Sequence, residues 1–117
     1  DFYGLEFGDV VIQKVAVAIK KIINEKDLVF RSGGEEFLAI VKLNYKDALE
    51  IAEKCRCFIE SQVIQHNTTK IRVTISVSVT DYQENLSFDD LFYNLQKALA
   101  NAKKSGKNKV QECLILK

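Results

Sequence analysis

Between residues 11 and 23 the apolar side chains return at intervals of three and four: Val11, Ile12, Val15, Ile19, Ile22 and Ile23. That period lines one side of a helix, and Lys14, Lys20 and Lys21 fall largely elsewhere. Two short apolar runs follow, Leu28-Val29-Phe30 and residues 37–41, separated by Arg31-Ser32-Gly33-Gly34-Glu35-Glu36. Strand-like runs around a glycine pair predict a β-hairpin with Gly33 and Gly34 at its tip. Helical spacing resumes from Asn44 or Tyr45 to about Val63, with Ala48, Ile51, Ala52, Cys55, Phe58 and Ile59 on the inner side. Asp47 stands where a first-turn acid favours a helix.

Residues 65–69 read as a polar connector. Over residues 70–80 the period changes to two: Ile71, Val73, Ile75, Val77 and Val79 alternate with Arg72, Thr74, Ser76 and Ser78. This predicts one continuous strand with a buried face. Ser87 and Asp90 resemble a capping box, with Asp in place of Glu or Gln, opening a helix through Leu91, Leu95, Ala98, Leu99 and Ala102 that Gly106 ends. Residues 110–116 predict a last short strand. The expected order is helix, hairpin, helix, strand, helix, strand, with no internal repeat and no low-complexity tract.

Composition narrows the class. The 117 residues are 47% hydrophobic and 28% charged, as in one globular domain. Seventeen Lys and Arg against 16 Asp and Glu leave a balance of +1, which gives no general attraction for nucleic acid or an anionic membrane. No apolar stretch approaches the roughly 20 residues of a membrane-spanning helix. The chain opens at Asp1 without a leader-like segment, as though cut from something longer, and upstream sequence is expected. Cys55, Cys57 and Cys113 are odd in number, and the close pair diverges on a helix, so small core or surface residues of a cytosolic protein are expected rather than zinc or disulfides.

Three segments carry candidate chemistry. In the first, Gly33 and Gly34 let the backbone turn and let a large anion come close, while Glu35 and Glu36 offer hard oxygen ligands for magnesium. Neighbours in a strand point oppositely, so one acid is expected to face a ligand and the other to be structural, unless the turn distorts the pleat. An ordinary solvated turn is the bland alternative. In the second, Lys103, Lys104, Lys107 and Lys109 crowd around Gly106. Lys103 and Lys104 are explained by the helix dipole alone, or the cluster clamps phosphates. In the third, Gly4-Leu5-Glu6-Phe7-Gly8-Asp9 reads as a turn before the first helix. Asp9 either caps that helix or accepts hydrogen bonds from a base edge such as guanine's N1 and N2 donors. His66, the sole histidine, is given no role.

Together these segments resemble the GGDEF family of diguanylate cyclases. Gly4-x-x-x-Gly8-Asp9 is similar to its GHxxGD turn, and Asp27-x-x-x-Arg31-x-Gly33-Gly34-Glu35-Glu36-Phe37 to its signature. Thr74-x-Ser76 resembles its TxSxG strand, and the stretch from Ala98-Leu99 through Ala102-Lys103 to Gly106-Lys107-Asn108 its ALYxAKxxGRN helix end. The resemblance implies an α/β (α+β), palm-like fold with a mostly antiparallel sheet flanked by helices, as in class III nucleotidyl cyclases, and GGEEF on a hairpin. It implies Glu35 and Glu36 as the catalytic acids, with Glu35 on magnesium or manganese. Asp9, Gly33, Gly34, Lys103 and Lys107 would be substrate-binding: Asp9 on guanine, the lysines on the terminal phosphates, with Lys107 where arginine is frequent. The implied reaction condenses two GTP into cyclic di-GMP and two pyrophosphates across a homodimer, under an upstream sensor or receiver domain, in the cytoplasm.

The departures set further expectations. The family's first strand, with a metal-binding aspartate, and the following loop, with a guanine-binding asparagine, would precede Asp1. The 117 residues alone are therefore expected to be inactive. Leu5 replaces a histidine, Ser78 a glycine, Leu95-Gln96 an Ala-Asp pair, and Ala100 a tyrosine. Asn24-Glu25-Lys26-Asp27 lacks the arginine of the RxxD product-inhibition motif, so no conventional inhibition site is expected. A catalytically inactive module that binds GTP or a partner protein is the other reading, and a palm-type enzyme for a different base a third.

Overall fold

The structure, a computed structural model, describes residues 5–24 and 26–113, with side chains from Gly8 onward. Asp1, Gly4 and the end of the expected last strand lie outside the described residues.

The first helix, α1, spans Leu5–Ile22 and starts six residues before the apolar periodicity does. Gly8 lies within it; a helical glycine costs about 1 kcal/mol relative to alanine. The chain contains no proline to stop the helix, so elongation proceeds through it. The expected turn before the helix is thus helical over the described residues, and Asp9 sits inside α1 rather than capping it. Lys20 and Lys21 complement the dipole in the last turn.

Strands β1 (Leu28–Arg31) and β2 (Phe37–Ile40) pair antiparallel, with Leu28 opposite Ile40 and Arg31 opposite Phe37. The loop is closed by the Ser32 amide donating to the Glu36 carbonyl at 3.0 Å. At the open end the Lys42 amide donates to the Asp27 carboxylate at 3.2 Å. Helix α2 (Tyr45–Ser61) begins where Asn44 Oδ1 accepts the Asp47 amide at 2.8 Å, and it buries Ala52, Cys55 and Ile59.

Two expectations fail beyond α2. Residues 65–69 are not a connector: β3 (Ile64–His66) and β4 (Thr69–Ile71) form an antiparallel hairpin. Asn67 makes the tight turn at φ 57°, a left-handed conformation that asparagine adopts more readily than most residues. The expected strand over 70–80 is interrupted, with β5 covering only Val77–Val79. Between them the alternation survives, Arg72 and Thr74 being exposed while Val73 and Ile75 pack on the core. Alternation needs only extended backbone over a buried surface. A ladder needs a partner, and no strand among the described residues pairs with 72–76.

Helix α3 (Phe88–Lys104) starts with Ser87 Oγ accepting the Asp90 amide at 3.1 Å. It joins β5 to β6 (Val110–Glu112), which run parallel with Val77 opposite Val110. Parallel strands require such a crossover, and α3 packs against both. The fold class is the mixed α/β one expected: two of the three strand pairs are antiparallel, and helices flank them. Among the described residues the sheet is three separate two-stranded pieces.

Val15, Ala18 and Ile59 form the buried centre between α1 and α2, with Phe37, Phe58, Val73 and Ile75 packed around it. Phe37 is therefore the anchor by which the signature hairpin reaches the core. No helix among the described residues is long and apolar enough to cross a membrane.

Candidate functional site

The glycine pair sits in residues 32–36 between β1 and β2, and neither glycine has a positive φ. A Cβ added at Gly34 would meet nothing within 4 Å, and one at Gly33 only the Glu36 carboxylate at 3.8 Å. The loop therefore does not need glycine for its conformation; what glycine leaves is open space above the backbone.

Arg31 organises that loop. Its Nε lies 3.2 Å from the Gly33 carbonyl and 2.9 Å from that of Gly34, which Nη2 also reaches. Charge-assisted bonds to two successive carbonyls hold the tip in one shape. The sequence pattern includes Arg31 but gives it no task; its place at the last position of β1, directly before the glycines, is the signal.

The two acids are in different environments. Glu36 is half-buried, with Oε2 accepting from Gln96 Nε2 at 2.9 Å and Oε1 4.0 Å from Lys103 Nζ. Glu35 is exposed, and no described residue hydrogen-bonds to it. The loop separates the pair: Glu36, next to β2, has its carboxylate tied to α3, while that of Glu35 is open to solvent. Among the described residues no group of three or more His, Cys, Asp or Glu is placed to hold a metal ion.

Lys103 is brought to the signature by the last turn of α3. Lys107 lies past the helix end with its side chain exposed, and its amide donates to the Ala102 carbonyl at 2.9 Å. Lys109 is not a free member of the expected lysine crowd, because its Nζ bonds the Ser105 carbonyl at the end of α3. A basic group there satisfies a carbonyl that the helix leaves unpaired.

Asp9 is exposed and makes no hydrogen bond or ion pair with the described residues of the signature, but helical spacing relates it to a cleft. Ile12 and Gln13, three and four residues on, share its side of α1. With Ala16 and Lys20 they face Arg31 and Phe37 of the hairpin across a cleft of about 270 Å³. The structure thus brings Glu36, Gln96 and Lys103 together, places Gly33, Gly34 and Glu35 beside them, and leaves Asp9 one helical turn before the first residues that line a neighbouring hollow.

The departures at positions 78, 95 and 96 also have partners. Ser78 Oγ donates to the Leu95 carbonyl at 2.9 Å, fastening β5 to α3, while Gln96 makes the Glu36 bond. The cysteines lie outside the site. Burial pushes the Cys55 and Cys113 thiols above their ordinary range, and Cys57 is exposed.

Comparison with known proteins places this arrangement in a family. The family described as "Diguanylate cyclase, GGDEF domain" matches residues 1–109. Diguanylate cyclase A of Treponema denticola is 36% identical over 112 residues, covering 94% of this chain and 30% of that protein. Diguanylate cyclase SiaD of Pseudomonas aeruginosa, solved with its activator SiaC, superposes with a TM-score of 0.84 at 26% identity, covering 96% of this chain and 44% of that one. The GGDEF domain of DgcB from Caulobacter crescentus, solved with c-di-GMP, gives 0.85 at 23% identity over 97% of this chain and 68% of that one, a likeness of fold. The chain spans less than half the length of the first two relatives. On the match over residues 1–109, the chain belongs to the GGDEF family.

Proposed function

We propose that the chain is the catalytic module of a diguanylate cyclase, condensing two GTP into cyclic di-GMP with release of two pyrophosphates. The observation that carries the reading is the division of labour in the signature. Glu36 and Lys103 are tied to one another across the hairpin and α3, and Glu35 stands free beside an open glycine pair. Relatives named as diguanylate cyclases and a fold neighbour solved with c-di-GMP support it.

In this mechanism the 3′-hydroxyl of each GTP loses its proton to solvent as its oxygen forms a bond to the α-phosphorus of the other, the bond from that phosphorus to the oxygen bridging to the β-phosphate breaks, and pyrophosphate leaves. The second such displacement closes the ring. Gly33 and Gly34 admit the phosphates to the backbone, Lys103 and Lys107 neutralise the terminal phosphate charge, and Asp9 accepts hydrogen bonds from the guanine edge. Glu36, fixed by Gln96, holds Lys103 at the signature.

One exposed carboxylate joined by triphosphate oxygens is a donor set that magnesium or manganese takes, and Glu35 is the described residue that fits it. Bound there, the ion would supply positive charge to the phosphates. Each subunit of a homodimer presents one GTP, so alignment of the two nucleotides is the dimer's contribution. A regulatory domain elsewhere in the longer protein and an action in the cytoplasm, where GTP is supplied, complete the reading. The full-length protein incubated with GTP and Mg²⁺ tests it: cyclic di-GMP appears, at a rate per protomer that rises with protein concentration. Bound but unconverted GTP would instead favour a non-catalytic signalling module.

A further inference from the structure

After α3 the chain makes an unusual turn: Gly106, Lys107 and Asn108 have φ of 120°, 58° and 49°. Glycine adopts such values freely and asparagine readily, but lysine does not, and a run of this kind persists only where its surroundings over-determine it. The surroundings are on α2. Arg56 Nη1 donates to Asn108 Oδ1 at 2.9 Å, and Asn108 Nδ2 donates to the Glu60 carboxylate. Arg56 lies 3.5 Å from Glu60 and also bonds Glu53 one turn back. The Asn108 amide donates to Ser76 Oγ at 3.2 Å.

Arg56 is the centre of this brace. Its side chain is 17% exposed, against 48% and 47% for the two glutamates around it. It spans from the helix to a residue 52 positions away and touches neither the signature nor Lys103. Lys107 has its amide fixed by Ala102 and its following residue fixed by Arg56, Glu60 and Ser76, so only its side chain is left free to reach outward.

We propose that Arg56, acting through Asn108, is a positioning residue for Lys107: the Arg56–Glu60–Asn108 brace imposes the left-handed turn and with it the direction in which the Lys107 ammonium meets a triphosphate. This rests on the reading of Lys107 as a phosphate contact. A lysine at position 56 could not serve, because one ammonium cannot keep a planar fork on Glu53, Glu60 and Asn108 together.

The test uses the full-length protein with Arg56→Ala, Arg56→Lys, Lys107→Ala and the double variant Arg56→Ala/Lys107→Ala. Asn108→Gly is a further variant that keeps backbone freedom while removing the side chain, should the Arg56 variants fold poorly. Amide hydrogen exchange comes first, because it needs no ligand. Exchange at Lys107 and Asn108 rises in Arg56→Ala, Arg56→Lys and Asn108→Gly, while the α1 amides stay protected. Unchanged exchange at 107 and 108 would overturn the brace.

Calorimetric binding then compares GTP with guanosine. Arg56→Ala weakens GTP about tenfold, as Lys107→Ala does, leaves guanosine unchanged, and adds nothing in the double variant. Additive losses, or equal loss for guanosine, would overturn action through Lys107. An unaltered protein that binds neither ligand would overturn the nucleotide reading, with the exchange pattern still deciding the brace.

Discussion

Gln96 Nε2 donates to Glu36 Oε2 at 2.9 Å, joining the middle of α3 to the tip of a hairpin 60 residues earlier. The two antiparallel strands of that hairpin reach the core through Phe37, so this bond is one of few that fix where the tip lies. Gln96→Leu leaves the Glu36 carboxylate with only the 4.0 Å approach of Lys103. A charged group losing a neutral donor at a partly exposed site lowers stability by about 1 kcal/mol. Chemical denaturation reads that loss, and cyclic di-GMP formation falls with it because Lys103 is held through Glu36. An unaltered unfolding midpoint would show that the bond contributes nothing.

The adjacent acids separate stability from activity. Glu35→Ala removes an exposed side chain without a described partner, so stability stays within about 0.5 kcal/mol, while product formation is lost. Glu36→Ala removes the acceptor of Gln96 and the partner of Lys103, and it lowers both. Paired denaturation and turnover measurements on the two variants check this; equal stability losses would contradict the assignment.

Glycine substitutions should divide in the same way. Gly106→Ala forces an alanine to φ 120° and destabilises by about 1–3 kcal/mol. Gly34→Ala adds a methyl to empty space at an ordinary backbone angle, so folding changes by less than about 0.5 kcal/mol. Its effect falls on GTP binding, read by calorimetry, because the methyl occupies the approach to the loop.

The thiols report burial. With Cys55 and Cys113 buried and Cys57 exposed, a thiol reagent modifies Cys57 first, and the other two only after denaturation. Folded-state thiol pKa values raised by burial act on stability in one direction. Their contribution is complete below the unfolded thiol pKa and is lost as pH rises through the folded one, because the unfolded chain releases those protons first. Stability therefore declines on the alkaline side; a rise there would contradict burial of these groups.

Much of this was legible from local pattern. The caps at Asn44 and Ser87 are where short polar side chains precede apolar periodicity, since capping depends on only three or four consecutive residues. The pairing of strands was less so. Asn67 and Thr68 hide a hairpin inside a polar stretch because turn and strand there are both short. The alternation over 70–80 records a buried face, which extended backbone provides whether or not a partner strand completes the ladder. For the site, the signature and its lysines stand out as motifs, while Arg31, Arg56 and Gln96 do not. Their roles depend on carbonyls and side chains brought near by folding, and in two of the three cases across more than 50 residues. Ser78 and Leu95 look like isolated departures until the fold puts a hydroxyl against a carbonyl.

The central claim is tested most directly by chromatographic analysis of nucleotides after the full-length protein and its Glu35→Ala variant are each incubated with GTP and Mg²⁺. The account predicts cyclic di-GMP with two pyrophosphates per cyclic dinucleotide from the unaltered protein, and none from a variant that remains folded. Equal product from both, or no product from an unaltered protein that dimerises and binds GTP, would contradict it.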